Sequence, residues 1–153
     1  MEHIHISRIE TTAPDYAQVF ALRDELLRKP LGMSLKNDDL SRDYVDTIFM
    51  AKHGETVIGC VMLHHKDETH LQLRQMAVHN DWQGKGVGRL IVLEAEQYAR
   101  EEGYKIMVLH ARKTAIGFYE RLGYKVTSDE FMEVGIPHYI MEKEMEPWQF
   151  EQY

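Results

Sequence analysis

Three glycines and two cations fall within seven residues at Gln83-Gly84-Lys85-Gly86-Val87-Gly88-Arg89, a composition suited to holding an anion. The residues just before, 71–78, form an apolar run short enough for one strand. After the loop, Val87, Leu90, Ile91, Ala95, Tyr98 and Ala99 recur at helical spacing. The glycines therefore fall at a helix N-terminus, where the first backbone N–H groups lack intrahelical acceptors and the helix dipole is positive. Glycine adds close approach, having no Cβ to keep the backbone away from a phosphate. A P-loop would need Gly-Lys-Ser/Thr, which this stretch does not supply. A dinucleotide fingerprint would need a third glycine where Arg89 stands. What remains is a pyrophosphate cradle of another kind, or a glycine-rich turn that merely opens an ordinary helix.

Gln83, Gly86 and Gly88 match the Gln/Arg-x-x-Gly-x-Gly/Ala loop of the GNAT family of N-acetyltransferases, and the chain resembles that family in a second segment. Ala115-Ile116-Gly117-Phe118-Tyr119-Glu120-Arg121-Leu122-Gly123-Tyr124 is similar to the family's Ala-x-x-Phe/Leu-Tyr-x-x-x-Gly-Phe/Tyr motif. A third, Gly135-Ile136-Pro137-His138, resembles a signature of the ElaA-like bacterial subgroup. The likeness covers roughly residues 45 to 145. It implies an α/β fold whose mixed, mostly antiparallel central sheet is flanked by helices. It further implies acetyl-CoA as co-substrate, with no metal, and residues 83–89 on the pyrophosphate. Met76, Ala77 and Val78 would lie along the pantetheine and thioester, with a backbone N–H on the oxyanion. Tyr119 aligns with the tyrosine that gives a proton to the departing thiolate, although a packed aromatic beside Phe118 is the plainer alternative. One departure is Arg112, where many relatives carry an asparagine; a cation there could reach phosphate instead.

Transfer from a thioester to an amine needs a bound donor, a neutral amine, a stabilised oxyanion and a proton for the thiolate. A phenol of pKa ~10 stays protonated at neutral pH and can donate to a thiolate whose conjugate acid lies near ~8.5. The base that would deprotonate the amine is open: His110, Glu133 and His138 are the candidates, and a water chain is another. Glu133 and His138 could equally organise their loop or bind the acceptor. The resemblance sets the segment around residues 23–33, with Arg23 and Arg28, over the acceptor pocket, where either arginine could meet an acidic group. The alternative is that their stems cover apolar surface while the guanidinium heads stay in water. Direct attack in a ternary complex leaves no nucleophilic role for Cys60, which sits inside an apolar strand-like run. The acceptor would be a primary amine of a small molecule or peptide.

A non-catalytic acyl-CoA-binding sensor on the same fold is the second reading, and turnover separates the two. A zinc-dependent hydrolase drawing on nine histidines finds no His-x-x-x-His spacing. With 18 basic against 25 acidic residues the net charge is −7, which disfavours a nucleic-acid partner. The longest apolar runs fall far short of the roughly 20 residues of a membrane span. A single cysteine excludes an internal disulfide and suits a reducing compartment, so a cytoplasmic protein is expected. At 153 residues one N-acetyltransferase domain, 1–153, is expected.

The elements that must position these residues follow from period and breakers. His3 to Ile9 alternates as a strand, with its histidines on one face. Thr12 is expected to cap a helix carrying Tyr16, Val19, Phe20, Leu26 and Leu27, and ending at Pro30. A second short helix is expected around Asp38 to Tyr44. Two strands, from Asp46 to His53 and from Thr56 to His65, flank a Gly54-Glu55 turn. Gly103 ends the long helix, and a strand runs from Tyr104 to His110. Strands from Tyr124 to Val126 and from Tyr139 to Met145 are expected to flank a loop holding Phe131, Glu133, Pro137 and His138. The aromatic tail, Trp148 and Phe150, is expected to pack on a neighbour, a homodimer being one way to cover it.

Overall fold

The computed structural model describes residues 3–147; the aromatic tail lies outside them. Its strands are β1 (Ile4–Ile9), β2 (Thr47–His53), β3 (Thr56–His65), β4 (His70–Val78), β5 (Ile106–Arg112), β6 (Lys125–Val126), β7 (Phe131–Glu133) and β8 (Ile136–Glu144). The helices are α1 (Tyr16–Leu27), α2 (Val87–Glu101) and α3 (Ile116–Arg121). The strand order is β1-β2-β3-β4-β5-β8-β6, with β7 also on β8. This is the mixed, mostly antiparallel sheet with helices that the sequence led us to expect. No described helix is long and apolar enough to cross a membrane.

The chain divides into two compact units: residues 1–64 with 74–95, and residues 65–73 with 96–153. In the first unit β1 and β2 pair antiparallel from Ile4↔His53 to Ile9↔Ile48, and β2 turns into β3 through Gly54 at φ 60°. Five of the seven β2 residues and seven of the ten in β3 are buried, which is why both read as near-continuous apolar runs. Their core joins Ile48, Met50, Val57, Cys60 and Met62 to Val19 and Leu22 of α1 and Ala77 of β4. Gly59 is where α2 comes down on β3. A Cβ there would lie 2.7 Å from Ile91 Cδ1 and 3.2 Å from Val87 Cγ1.

The start of α1 differs from expectation. Thr12 lies in a turn, the helix begins at Tyr16, and Asp15 occupies the N-cap without a side-chain cap bond. Asp15 instead takes Lys52 Nζ at 3.0 Å. The second helix expected around Asp38 is two short 3₁₀ turns, Leu35–Asn37 and Ser41–Tyr44, too polar in this stretch to bury a continuous helical face.

In the second unit β4 and β5 run parallel over four pairs, His70↔Ile106 to Leu73↔Leu109. β8 then pairs antiparallel with β5 over seven, Ile106↔Glu144 to Arg112↔His138. The segment α2 ends in a Schellman cap: Gly103 is at φ 84°, its N–H donates to Arg100 O, and Tyr104 N–H donates to Ala99 O. The Tyr104 to His110 strand is thereby displaced to Ile106–Arg112, because residues 103–104 complete the cap. The stretch expected as a loop is a hairpin. Phe131↔His138 and Glu133↔Ile136 pair across a two-residue turn, Val134 and Gly135, both left-handed at φ 48° and 78°. That is the backbone of a type I′ turn, and a valine in its first position hides the turn from a sequence reading that looks for Asn-Gly or Asp-Gly.

Candidate functional site

The glycine loop forms in the first unit as its composition requires. The N–H of Trp82 donates to His79 O, and Gln83 Nε2 donates to Val78 O at 2.9 Å and Asn80 Oδ1 at 3.2 Å, tying the loop back to the end of β4. Gly84 and Gly86 follow at φ 76° and 86°, and nothing lies within 4 Å of a Cβ built on either. Val87, 1% exposed, starts the helix, and Gly88 sits half-buried beside it. Lys85 and Arg89 are exposed, the Lys85 ammonium 5.3 Å from the centre of the Trp82 ring. The result is an open face of backbone with two nearby cations at the start of a 15-residue helix. This geometry fits a pyrophosphate group. Met76 and Val78 are half-buried at the end of β4 and Ala77 is buried between them.

Arg23 and Arg28 also belong to this unit, and both already have carboxylate partners. Arg28 donates from Nε and Nη2 to Asp38 at 3.0 and 2.8 Å. Arg23 is 0% exposed, so the reading that left its head in water is corrected for this residue. Its Nη1 and Nη2 grip Asp43 at 2.8 and 3.4 Å and its Nε donates to Gln75 Oε1 at 2.6 Å. Arg74 continues the network to Asp43 and Asp46, and His64 Nδ1 meets Asp46 at 2.7 Å. Tyr16 donates to Asp43; burial first, and that carboxylate second, push its phenol up to about 12. Sequence reading missed Gln75, Asp43, Asp46 and Arg74. The available signal was the polar pair Arg74-Gln75 inside an apolar strand.

In the second unit α3 closes like α2. Gly123, at φ 97°, donates to Glu120 O while Tyr124 N–H donates to Tyr119 O. The aromatic-glycine-aromatic motif is thus a helix cap, and the ring contact that accompanies such a cap is Tyr119 on Tyr124, centroids 5.8 Å apart. Phe118 packs edge-on to the same ring at 4.9 Å. The Tyr119 ring is 7% exposed, and its hydroxyl has no hydrogen-bond partner among the described residues. Burial raises its pKa well above the ordinary value of 10.0, so the phenol holds its proton at any physiological pH.

The titratable candidates His110, Glu133 and His138 come together here. Glu133 Oε1 lies 2.8 Å from His110 Nδ1, and Oε2 lies 3.7 Å from His138 Nε2. His138 Nδ1 donates to Ile136 O at 2.9 Å, which leaves Nε2 as the lone-pair nitrogen of the neutral ring. Phe131 packs between them, its centroid 5.3 Å from His110 and 6.0 Å from His138. Arg112 lies across the β5–β8 ladder from His138. Cys60 is fully buried, and burial pushes its thiol up to about 12. No group of three or more His, Cys, Asp or Glu among the described residues is placed to hold a metal ion.

With this geometry in view, the class is defined by comparison. Residues 13–124 match the model of the Acetyltransferase (GNAT) family, so the chain belongs to the GNAT family and is an acetyltransferase. YyaT of Bacillus subtilis is 39% identical over 74 residues, covering 48% of this chain and 50% of that protein. A second B. subtilis protein, an acetyltransferase candidate by name, is 29% identical over 140 residues, covering 88% and 92%. Among solved structures, an N-acetyltransferase candidate from Lactobacillus plantarum superposes with a TM-score of 0.84 at 24% identity, over 94% of this chain and 99% of that one. Escherichia coli ElaA gives 0.78 at 15%, over 92% and 99%, a likeness of fold.

Proposed function

We propose that the protein is an N-acetyltransferase that moves the acetyl group of acetyl-CoA to a primary amine of a small molecule or peptide, by direct attack in a ternary complex. The observation that carries this reading is the loop at residues 83–89: two left-handed glycines with open space at their α-carbons, a side-chain tether to β4, and a helix N-terminus, in a chain of the GNAT family. In this proposal the N–H groups of Gly84, Lys85, Gly86, Val87, Gly88 and Arg89 take the pyrophosphate, and Lys85, Arg89 and Arg112 supply positive charge. The backbone of Met76, Ala77 and Val78 takes the pantetheine and the thioester carbonyl. Acceptor recognition falls to the segment of residues 23–33, with Arg28, and to the hairpin bearing Glu133 and His138; the buried Arg23 lies beneath that segment, held by Asp43 and Gln75. The family match draws on both compact units, which supports a single working domain over residues 1–153.

Proton movements follow from the second unit's geometry. The amine must lose a proton before its nitrogen attacks, and His138 Nε2 is the available lone pair, with Glu133 Oε2 3.7 Å from it. The neutral amine nitrogen forms the new C–N bond, the resulting cationic nitrogen passes its second proton to water, the oxyanion collapses, the C–S bond breaks, and Tyr119 gives its proton to sulfur and regains one from solvent. The net charge of −7 favours a cationic acceptor. A reducing, cytoplasmic setting suits the free buried thiol.

A thermal-shift titration tests donor binding: coenzyme A and acetyl-CoA raise the melting temperature and NADH does not. A screen of amines with acetyl-CoA, reading released thiol and product mass, tests transfer. Donor binding without turnover on any amine would favour the acyl-CoA sensor instead.

A further inference from the structure

Gln75 is a non-glycine residue at φ 50° in the middle of β4, a conformation that costs energy and persists only where the surroundings hold it. What holds it is visible. Its side-chain oxygen accepts from Arg23 Nε at 2.6 Å, and that guanidinium is completely buried, reaching from α1 with its other two nitrogens locked on Asp43. Asp43 is fixed in turn by Arg74 and Tyr16, and Arg74 by Asp46. A buried arginine is costly to desolvate, and only a planar fork can serve an amide on one edge and a carboxylate on the other. A left-handed residue inside a strand re-aims the groups that follow it, here Met76 to Val78.

We infer that Arg23 and Gln75 are positioning residues for acyl transfer: the Arg23 guanidinium, anchored on Asp43, clamps Gln75 in its left-handed conformation and thereby sets the direction of the Met76 backbone N–H. The inference rests on the donor site proposed above, and it moves Arg23 from contact with the acceptor to a role beneath the strand. It accounts for why an arginine on the apolar side of α1 is fully buried.

The test compares Gln75→Gly with Gln75→Ala. In an ordinary strand alanine is the better tolerated of the two; at a left-handed position glycine is. The clamp predicts that Gln75→Ala lowers kcat at least tenfold, while Gln75→Gly stays within about threefold of wild type and melts higher than Gln75→Ala. Arg23→Lys, which cannot bridge both partners, lowers kcat with acceptor KM unchanged, and Gln75→Gly in the same chain restores most of the loss. Coenzyme A affinity stays within threefold in all four. Equal kcat for Gln75→Gly and Gln75→Ala overturns the clamp, and a rise in acceptor KM alone for Arg23→Lys returns Arg23 to the acceptor. If Arg23→Lys does not fold, the pair at position 75 decides. If wild type binds acetyl-CoA but transfers to no amine, the ratio of acetyl-CoA to coenzyme A affinity replaces kcat, and Gln75→Ala must lower it while Gln75→Gly does not. Failure of wild type to bind coenzyme A is a different result and overturns the donor site itself.

Discussion

Gly59→Ala is the sharpest test of how the donor loop is held. The new methyl would sit 2.7 Å from Ile91 Cδ1, 3.2 Å from Val87 Cγ1 and 3.4 Å from Ala77 O. The first contact is well inside normal packing distance, but it involves the end of an isoleucine side chain, which can rotate. The second is a stiff β-branched residue, and Val87 is the residue that opens α2 straight after Gly86. Overpacking of this kind costs about 1–3 kcal/mol, and a glycine replaced inside a strand returns about 0.5–1 kcal/mol, so a net loss of about 0.5–2 kcal/mol is expected. For a chain of this size that is a fall of roughly 1–8 °C in melting temperature. Coenzyme A affinity should fall about threefold to tenfold as the first turn of α2 is pushed from the strand. Ile91→Val removes the clashing carbon and alone costs about 0.5–1.5 kcal/mol. Combined with Gly59→Ala it should be less harmful than the sum, with a coupling of about 1 kcal/mol measured by a denaturant double-mutant cycle. Strict additivity of the two changes would refute the packing argument, as would a Gly59→Ala protein that melts and binds like wild type.

Four further outcomes follow from the site. Gly86→Val forces a β-branched residue to φ 86° where backbone should face phosphate, so donor affinity should drop at least tenfold in a folded protein, read by calorimetry. Tyr119→Phe keeps the ring stack and removes only the hydroxyl; turnover should slow by about 10²-fold with coenzyme A affinity kept, and a loss below about threefold with chemistry limiting would reduce Tyr119 to packing. His138→Gln should raise acceptor KM or lower kcat, leaving donor binding intact. The Cys60 thiol, ordinarily 9.0 and held at about 12 by burial, keeps its proton in the folded state while the unfolded chain gives it up. Stability should therefore fall between about pH 9 and 12, by up to about 1.4 kcal/mol per unit from this group, and Cys60→Ala should remove that share of the slope in alkaline denaturation curves.

The strands β2, β3 and β4 and the helix α2 were legible because apolar period and glycine breakers both act locally. The loop of residues 83–89 was legible for the same reason: left-handed backbone needs glycine, and glycine is visible. Val134 shows the opposite case, since a valine adopts the turn only because the β7–β8 ladder forces it, and no local signal announces that. Thr12 was an adequate cap in isolation, but the salt link of Asp15 to Lys52 goes with a cap three residues later, at Asp15 itself. Arg23 was read as an acceptor-pocket residue or as an arginine with its head in water, because its partners, Asp43 and Gln75, are 20 and 52 positions away. The pairing of His110 with Glu133 likewise depends on the hairpin, which brings a carboxylate 23 residues downstream onto β5's histidine.

The position of β8 has a consequence for synthesis. It is the last of the eight described strands to leave the ribosome, yet it lies between β5 and β6 and carries seven pairs with β5 alone. Residues 1–95 hold every segment of the first unit, so that unit can assemble early. From Ile106 to Glu144 the chain must grow by 38 residues before β5 gains its full partner, roughly 2–8 s at ordinary elongation rates. During that interval one side of β5, with Met107, Val108 and Leu109, is an unpaired apolar strand edge. A nascent or truncated chain stopping before residue 136 would expose the same edge, and it is there that chaperone capture or strand-to-strand aggregation would begin.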